Sequence, residues 1–288
     1  MRPNLSIVIL NYNTKKFLDG LFTSLGEVRG EADFEVIVVD NGSEDKSSEL
    51  IKGIKGIKLI QNKKNLGFAK GNNSARKVVR GEFVLFLNTD TKVPRGTIKK
   101  SLEKMASDKK IGILTCRMKM KNGKLDRDAR RSFPTPWVSL THFTALDRIF
   151  PRSKLFSRYW YGWIPPETTH EIDASQGAFL LTRKTILDKV GWFSEDYFLD
   201  GEDIDLSWKI KSLGYRVLYY PEAWIWHFKK GTKKGEYKNV KFVISGVDAM
   251  RIFYVKRLAG DYSLAVGFLV LLGITLVKMA RIVKYYTA

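Results

Sequence analysis

Leu5-Ser6-Ile7-Val8-Ile9-Leu10-Asn11-Tyr12-Asn13 is an apolar, β-branched run that stops at two amides and a tyrosine. Such a run reads as a short strand buried on both faces and ending in a polar loop. The pattern recurs in Phe34-Glu35-Val36-Ile37-Val38-Val39, Ile57-Lys58-Leu59-Ile60, Phe83-Val84-Leu85-Phe86-Leu87 and Ile111-Gly112-Ile113-Leu114. Helix-period segments lie between them, around Phe17 to Leu25, Lys46 to Ile54, Ala69 to Val79 and Thr97 to Met105. This alternation predicts an α/β fold, a mostly parallel sheet flanked by helices, which takes ligands at the carboxyl ends of its strands.

Polar clusters sit at those ends: Asn11-Tyr12-Asn13, Asp40-Asn41-Gly42-Ser43 and Asn88-Thr89-Asp90. Three clusters converging on one sheet edge point to a site, where one alone would be an ordinary loop. Asp40 is placed to accept from a ribose or base, although an Asx-turn or helix cap would use it equally well. Asn65-Leu66-Gly67-Phe68-Ala69-Lys70-Gly71-Asn72-Asn73 puts two glycines and three amides at a helix start, where backbone N–H groups can meet a diphosphate. Asp90 follows the most apolar strand and is a hard oxygen donor suited to a divalent cation. His227 follows the strand-like Arg216-Val217-Leu218-Tyr219-Tyr220; a lone histidine is commonly structural, but one returned to the site is a borderline ligand for Mn²⁺ as well as Mg²⁺.

Four carboxylates crowd into Asp200-Gly201-Glu202-Asp203-Ile204-Asp205 of a chain with formal net charge +20. Mutual repulsion disfavours their ionised forms, which marks a site that handles a metal, a proton or a sugar hydroxyl. Leu206, Ile210 and Leu213 then fall on one helical face, so the acids stand at a helix N-terminus, where they also complement the macrodipole. Between residues 125 and 170, Arg127, Arg130 and Arg131 precede Phe133-Pro134-Thr135-Pro136-Trp137 and Tyr159-Trp160-Tyr161-Gly162-Trp163. Aromatics of this kind stack on sugars or anchor at membrane interfaces, and the segment reads as an acceptor-side element.

The 288 residues include one cysteine, Cys116, which excludes an internal disulfide framework. No long apolar signal segment follows the basic start, so the N-terminal part is expected to stay where it is made. Residues 226–288 hold twelve Lys/Arg against three acids, around the uncharged run from Tyr262 to Val277. As a helix that run is about 24 Å long, short of the ~30 Å hydrocarbon layer. It is read as a membrane-associating helix at about 258–284, in-plane or marginally spanning, with a buried core helix as the competing reading. A nucleic-acid groove is disfavoured because the basic excess surrounds an apolar run while the expected pocket is acidic.

Taken together, Leu5 to Asn13, Val38-Val39-Asp40-Asn41-Gly42-Ser43, Asn65-Leu66-Gly67-Phe68-Ala69, Leu87-Asn88-Thr89-Asp90, Gly177-Ala178-Phe179-Leu180, Val190-Gly191-Trp192-Phe193 and Glu202-Asp203-Ile204-Asp205-Leu206 resemble the inverting family 2 glycosyltransferases. Within that family they are most similar to the rhamnosyltransferase-like branch. The resemblance implies a GT-A fold over 1–232, with a nucleotide-binding half (1–115) and an acceptor and catalytic half (116–232), followed by a basic tail (233–288). It implies a nucleotide-diphosphate-sugar donor bound by Asn11, Tyr12, Asn13, Asp40, Asn65, Gly67, Asn72, Asn88, Gly177 and Ala178. Asp90 corresponds to the second acid of the metal-binding Asp-x-Asp motif, whose first position here is Asn88, and His227 to the histidine closing over metal and diphosphate. Mg²⁺ or Mn²⁺ is the implied cofactor. Asp203 corresponds to the acceptor-activating base, with Glu202 holding the acceptor or orienting that base.

The chemistry agrees, because displacing a nucleoside diphosphate from an anomeric carbon needs a general base and charge neutralisation on the leaving group. The tail places this enzyme on the cytoplasmic face of the membrane, facing a glycan or lipid-linked saccharide acceptor. Two other classes compete: a catalytically silent sugar-binding or membrane-scaffold protein, and a sugar nucleotidyltransferase. The latter should carry a triphosphate loop where this chain has Asn11-Tyr12-Asn13-Thr14.

Overall fold

In the computed structural model, residues 3–229 and 240–287 are described. The expected strands form as β1 (Leu5–Asn11), β2 (Phe34–Asp40), β3 (Ile57–Gln61) and β4 (Phe83–Leu87), joined by α1 (Lys15–Glu27), α2 (Ser47–Lys52) and α3 (Phe68–Asn73). A two-residue β5 (Thr91–Lys92), α4 (Thr97–Ser107) and β6 (Ile111–Lys119) follow. Strands β1, β2 and β4 are buried almost end to end, as their apolar runs require, whereas β3 is a half-exposed edge. The pairings β2–β3, β1–β2 and β1–β4 are all parallel, and Asn11 lies opposite Asp40 at the carboxyl ends.

The second half inserts into and extends this sheet. After α5 (Pro136–Phe143), α6 (Leu146–Ile149) and β7 (His170–Ile172), β8 (Phe179–Arg183) pairs antiparallel with both β4 and β6. Then α7 (Lys184–Val190) and α8 (Glu202–Ser212) lead to β9 (Arg216–His227), giving the order β3-β2-β1-β4-β8-β6-β9-β5 with β7 on β9. The strand expected over 216–220 thus continues to His227. Its register on β6 jumps from Cys116↔Tyr220 to Arg117↔Trp224, and Pro221 sits in that bulge, where its missing N–H breaks no ladder. Past the bulge the strand resumes and pairs His227 with Thr91, bringing the histidine next to Asp90.

The helix expected over 69–79 ends at Asn73. Asn72 bonds back to the Phe68 carbonyl, Asn73 exchanges bonds with the Phe193 backbone, and Ser74 pairs with Asn62, so these polar side chains compete with continued helix. Beyond residues 230–239 the chain forms α9 (Val240–Phe253), a π turn (Tyr254–Leu258) and α10 (Leu264–Thr287). The expected division at 232/233 lies outside the described residues. Past it, Phe253, Tyr254 and Leu258 pack with Ala174 and Ile204 of the preceding half, joined by Phe133, Trp208, Val270 and Leu271.

Candidate active site

A cleft of about 520 Å³ opens at the carboxyl ends of the central strands. Tyr12, Asn65, Gly67, Asn88, Asp90, Gly177, Ala178, Glu202, Asp203 and His227 all line it. Asn11, Asn13, Asp40 and Asn72 do not. Asn11 and Asp40 are buried behind the cleft, where the Asn11 amide donates to Asp40 at 2.6 Å and to Ser47 at 2.8 Å. Asp40 also accepts from the Ser43 N–H and Ser48 hydroxyl. These two residues therefore form a bracket between strand ends. Asn13 is exposed and accepts from the Glu44 N–H, and Asn72 caps the Phe68 carbonyl.

Asn41 transmits that bracket to the cleft rim. Its side chain donates to Asn65 Oδ1 and to the Gly67 carbonyl, and accepts from the Leu66 N–H. Gly67 has φ +84° and ψ 179°, a region open essentially to glycine alone, and a Cβ there would come 2.3 Å from the Phe198 carbonyl oxygen. The adjacent Phe68 N–H donates to that same oxygen at 2.7 Å. Gly67→Ala is therefore expected to cost at least about 1–3 kcal/mol and to lower the melting temperature by several degrees. Calorimetry showing an unchanged transition would refute the close approach.

At the far end of β9, His227 Nδ1 meets Asp126 at 2.8 Å, and Nε2 faces Asp90 at 3.4 Å. Lys229 backs this group, 2.6 Å from both Asp126 and Asp128. Burial disfavours the imidazolium, but the hydrogen bonds to Asp126 and Asp90 outweigh it and raise the His227 pKa to about 9. Burial likewise opposes the charge of Asp128, and Arg131 and Lys229 overcome it, taking its pKa to about 2. A carboxylate behind a histidine, leaving the other ring nitrogen directed at a second carboxylate, is the arrangement that orients a metal-binding imidazole. Among the described residues no three His, Cys, Asp or Glu side chains converge as a complete metal cage. The donor set thus fits a cation held by one carboxylate and one imidazole, with water and substrate phosphates completing its shell. Binding there would displace a proton from His227.

The acid cluster is sorted by its surroundings. Gly201, at φ +86°, starts α8 so that Glu202 and Asp203 open onto the cleft while Asp205 points away from it. Asp203 Oδ2 accepts from Arg131 at 2.6 Å and from the Gly177 N–H at 3.1 Å, and Oδ1 from the Ile204 N–H at 2.8 Å. Burial, reinforced by the negative charges of Asp203 and Asp200, pushes the Glu202 carboxyl well above its usual range and favours its neutral form. Its Oε2 has no hydrogen-bond partner among the described residues. Asp205, expected to crowd Asp203, is instead fully buried in a two-point pair with Arg257, at 2.7 and 3.2 Å.

Several cleft residues escape sequence reasoning. Arg131 is visible as one of three arginines, but its pairing with Asp203 depends on the antiparallel bridge Arg131↔Ala174. Asp126 and Asp128 belong to a turn (Arg127–Ala129) that no pattern announces. The wall formed by Phe242, Gly246, Ala249, Met250 and Phe253 of α9 has helical spacing, yet it follows a basic stretch and precedes a longer apolar one that dominates the pattern. Of the basic run Lys229 to Lys234, Lys229 lines the cleft and the rest lies outside the described residues.

The strand order and the cleft at the carboxyl ends of the central strands define a mixed-sheet α/β fold with a candidate site. The model of glycosyl transferase family 2 matches residues 6–186, and the chain belongs to that family. Among curated relatives, the poly-beta-1,6-N-acetyl-D-glucosamine synthase of Staphylococcus aureus (strain COL) is 24% identical over 237 residues, covering 81% of this chain and 52% of the relative. The synthase of the same name from Staphylococcus epidermidis is 24% identical over 207 residues, 71% of this chain and 45% of that one. The chain spans about half the length of the curated relatives it matches. Among solved structures, S. aureus TarS 1-349 superposes with a TM-score of 0.58 at 20% identity, covering 91% of this chain and 67% of that one. The mannosyltransferase PcManGT from Pyrobaculum calidifontis, in complex with GDP-Man and Mn²⁺, gives 0.58 at 18% identity, covering 100% and 87%. The fold is GT-A, with an apolar C-terminal helix.

Proposed function

We propose that the protein is an inverting glycosyltransferase that moves a sugar from a nucleotide-diphosphate donor to a saccharide or lipid-linked acceptor in cell-surface glycan synthesis. The observation that carries this reading is one cleft holding both the Asp90–His227 pair and the Glu202–Asp203 pair. In the reaction, Asp203 accepts the proton of the acceptor hydroxyl as its oxygen bonds to the anomeric carbon and the bond to the diphosphate breaks. Oδ1, engaged once by the Ile204 N–H, retains a lone pair for that proton. Arg131 and the Gly177 N–H fix the carboxylate's orientation through Oδ2. Glu202, which lines the cleft beside Asp203, holds the acceptor through a hydrogen bond. A divalent cation held by Asp90 and His227 would supply charge neutralisation on the departing diphosphate. Lys229 adds positive charge on that side.

Donors define the test. TarS 1-349 has been solved in complex with UDP-GlcNAc and PcManGT with GDP-Man and Mn²⁺, and the sequence resemblance favours rhamnose. UDP-GlcNAc, GDP-mannose and dTDP-rhamnose are therefore assayed for thermal stabilisation and transfer with Mg²⁺ and Mn²⁺. One of these classes should raise the melting temperature; stabilisation by none, with no transfer, would remove the donor assignment.

The membrane role is read from α10. Its mean hydropathy over the most apolar window is 2.1 and 6% of that window is buried. One side packs along α9, with Lys278 2.6 Å from Asp248. The other presents Phe268, Leu272, Leu276, Met279, Val283 and Tyr286 to solvent. Although its 24 residues would reach about 36 Å, a helix packed along the catalytic unit with one apolar side suits an in-plane position on the cytoplasmic leaflet. Truncation after Asp261 retains Arg257 and the α9 wall. It is expected to abolish most co-flotation with vesicles, preserve donor-induced stabilisation, and reduce transfer to a lipid-linked acceptor more than to a soluble analogue. Unfolding of the truncated chain would identify α10 as a core helix instead.

A further inference from the structure

We propose that the α5–α6 segment is a second lipid-binding surface, one that seats the mouth of the cleft on an anionic membrane. Large apolar residues exposed among the described residues are concentrated in two places. Apart from Leu213 and Val255, all of them belong to α10 or to the short stretch holding Trp137, Leu140, Phe143, Ile149, Phe150 and Leu155. The second group is unusual because it is local, with Ile149 64% and Leu155 55% exposed, and a soluble surface rarely concentrates so many large apolar side chains.

Charge identifies the occupant. Arg148, Arg152, Lys154 and Arg158 are exposed between and beside these apolar groups. The one acid of the stretch, Asp147, is buried and paired with His142 at 2.7 Å. Apolar side chains interleaved with exposed cations match a bilayer interface bearing anionic headgroups. A protein partner would require complementary acids together with a shaped apolar pocket, whereas a lipid surface needs neither.

Position gives the surface its use. Ser139, His142 and Phe143 line the cleft, as do Phe242, Gly246 and Met250 of α9, against which α10 packs. At the base of α5, Phe133 packs 5.9 Å from Phe253 within the cluster that includes Val270 and Leu271 of α10. One exposed apolar element therefore lines the cleft, and the other packs on the helix that walls it. Contact at α10 alone leaves the enzyme free to pivot about that helix; contact at both fixes the opening against the leaflet. The inference uses the lipid-facing reading of α10 for this geometry, but the α5–α6 surface is tested separately.

The test uses the full chain, transferred from detergent to vesicles of equal parts phosphatidylcholine and phosphatidylglycerol. An environment-sensitive fluorophore is attached at Leu140→Cys, at Ile149→Cys, at Leu276→Cys on α10 or, as a control, at the exposed Lys63→Cys; Cys116 is buried and does not compete. Insertion to about 5–10 Å should shift the labels at 140 and 149 to the blue, with stronger quenching by shallow than by deep spin-labelled lipids, and leave position 63 unaffected. Quenching at 276 but not at 140 or 149 overturns this proposal and leaves the α10 reading intact. Quenching at 140 and 149 but not at 276 supports it and removes the α10 reading. Reversal of Arg148, Arg152, Lys154 and Arg158 to Glu should abolish quenching at 140 while sparing 276, and persistence at 140 would overturn the charge argument. A blue shift at 140 that needs no vesicles and grows with protein concentration means that the surface binds a second copy, which also overturns the proposal.

Discussion

Asp203→Asn is expected to lower sugar transfer by about 10²–10⁴-fold while nucleotide-sugar binding persists, the range associated with losing a general base. The amide preserves the shape of the carboxylate but keeps one acceptor oxygen, which can serve either the Ile204 N–H or the Gly177 N–H and Arg131, not both sides. What it loses is the lone-pair basicity required by the acceptor proton. The substitution also removes the charge facing buried Arg131, and breaking such a pair can cost about 3–5 kcal/mol. Asp128, whose charge also acts on Arg131, softens that loss. The melting temperature is thus measured alongside turnover. A folded variant that gains stability from donor but turns over at less than a hundredth of the wild-type rate fits the proposed base, whereas turnover within a factor of about ten assigns that role elsewhere.

The second large effect is expected at the other end of the cleft. Asp90→Ala or His227→Ala removes one of two protein donors for the cation, and transfer should fall on the order of 10²–10³-fold, as when one charge-stabilising contact is lost at a reacting centre. Binding of Mn²⁺, followed by calorimetry in the presence of a nucleoside diphosphate, should weaken in parallel. Asp126→Asn touches the cation only through the imidazole it orients, and an effect of about 10–100-fold on metal affinity is expected. Full wild-type activity in excess chelator would exclude the metal-assisted reading.

The parallel core was legible because β4 is wholly apolar and β1 and β2 are interrupted only by Ser6 and Glu35 before their polar ends, and all three are buried almost end to end. Asp203, Glu202, Asp90 and His227 were legible as chemical types near turns. Their convergence was not, since it depends on features without a local signature. His227 reaches Asp90 through a strand that continues past Pro221 by way of a bulge. Arg131 reaches Asp203 through a bridge between residues 131 and 174. Asn11 and Asp40 show the opposite discrepancy, because strand-end polar residues that resemble ligand contacts are consumed by each other and by Ser47 and Ser48. Periodicity identifies buried faces, but it cannot tell which polar side chains satisfy one another.

The Arg257–Asp205 pair has a consequence for the order in which the molecule is made. Asp205 is completely enclosed, and its cationic partner lies 52 residues later in the chain. On a translating ribosome, the sheet and α8 can assemble before that arginine appears, leaving Asp205 with the Ser194 and Tyr197 hydroxyls and the nearby charge of Lys209 but without its two-point partner. Such an intermediate is destabilised at α8, the helix that carries Glu202 and Asp203. The same late segment brings the α9 wall. A nascent chain therefore gains the partner of Asp205 and the α9 wall of the cleft together, when residues 240–258 dock.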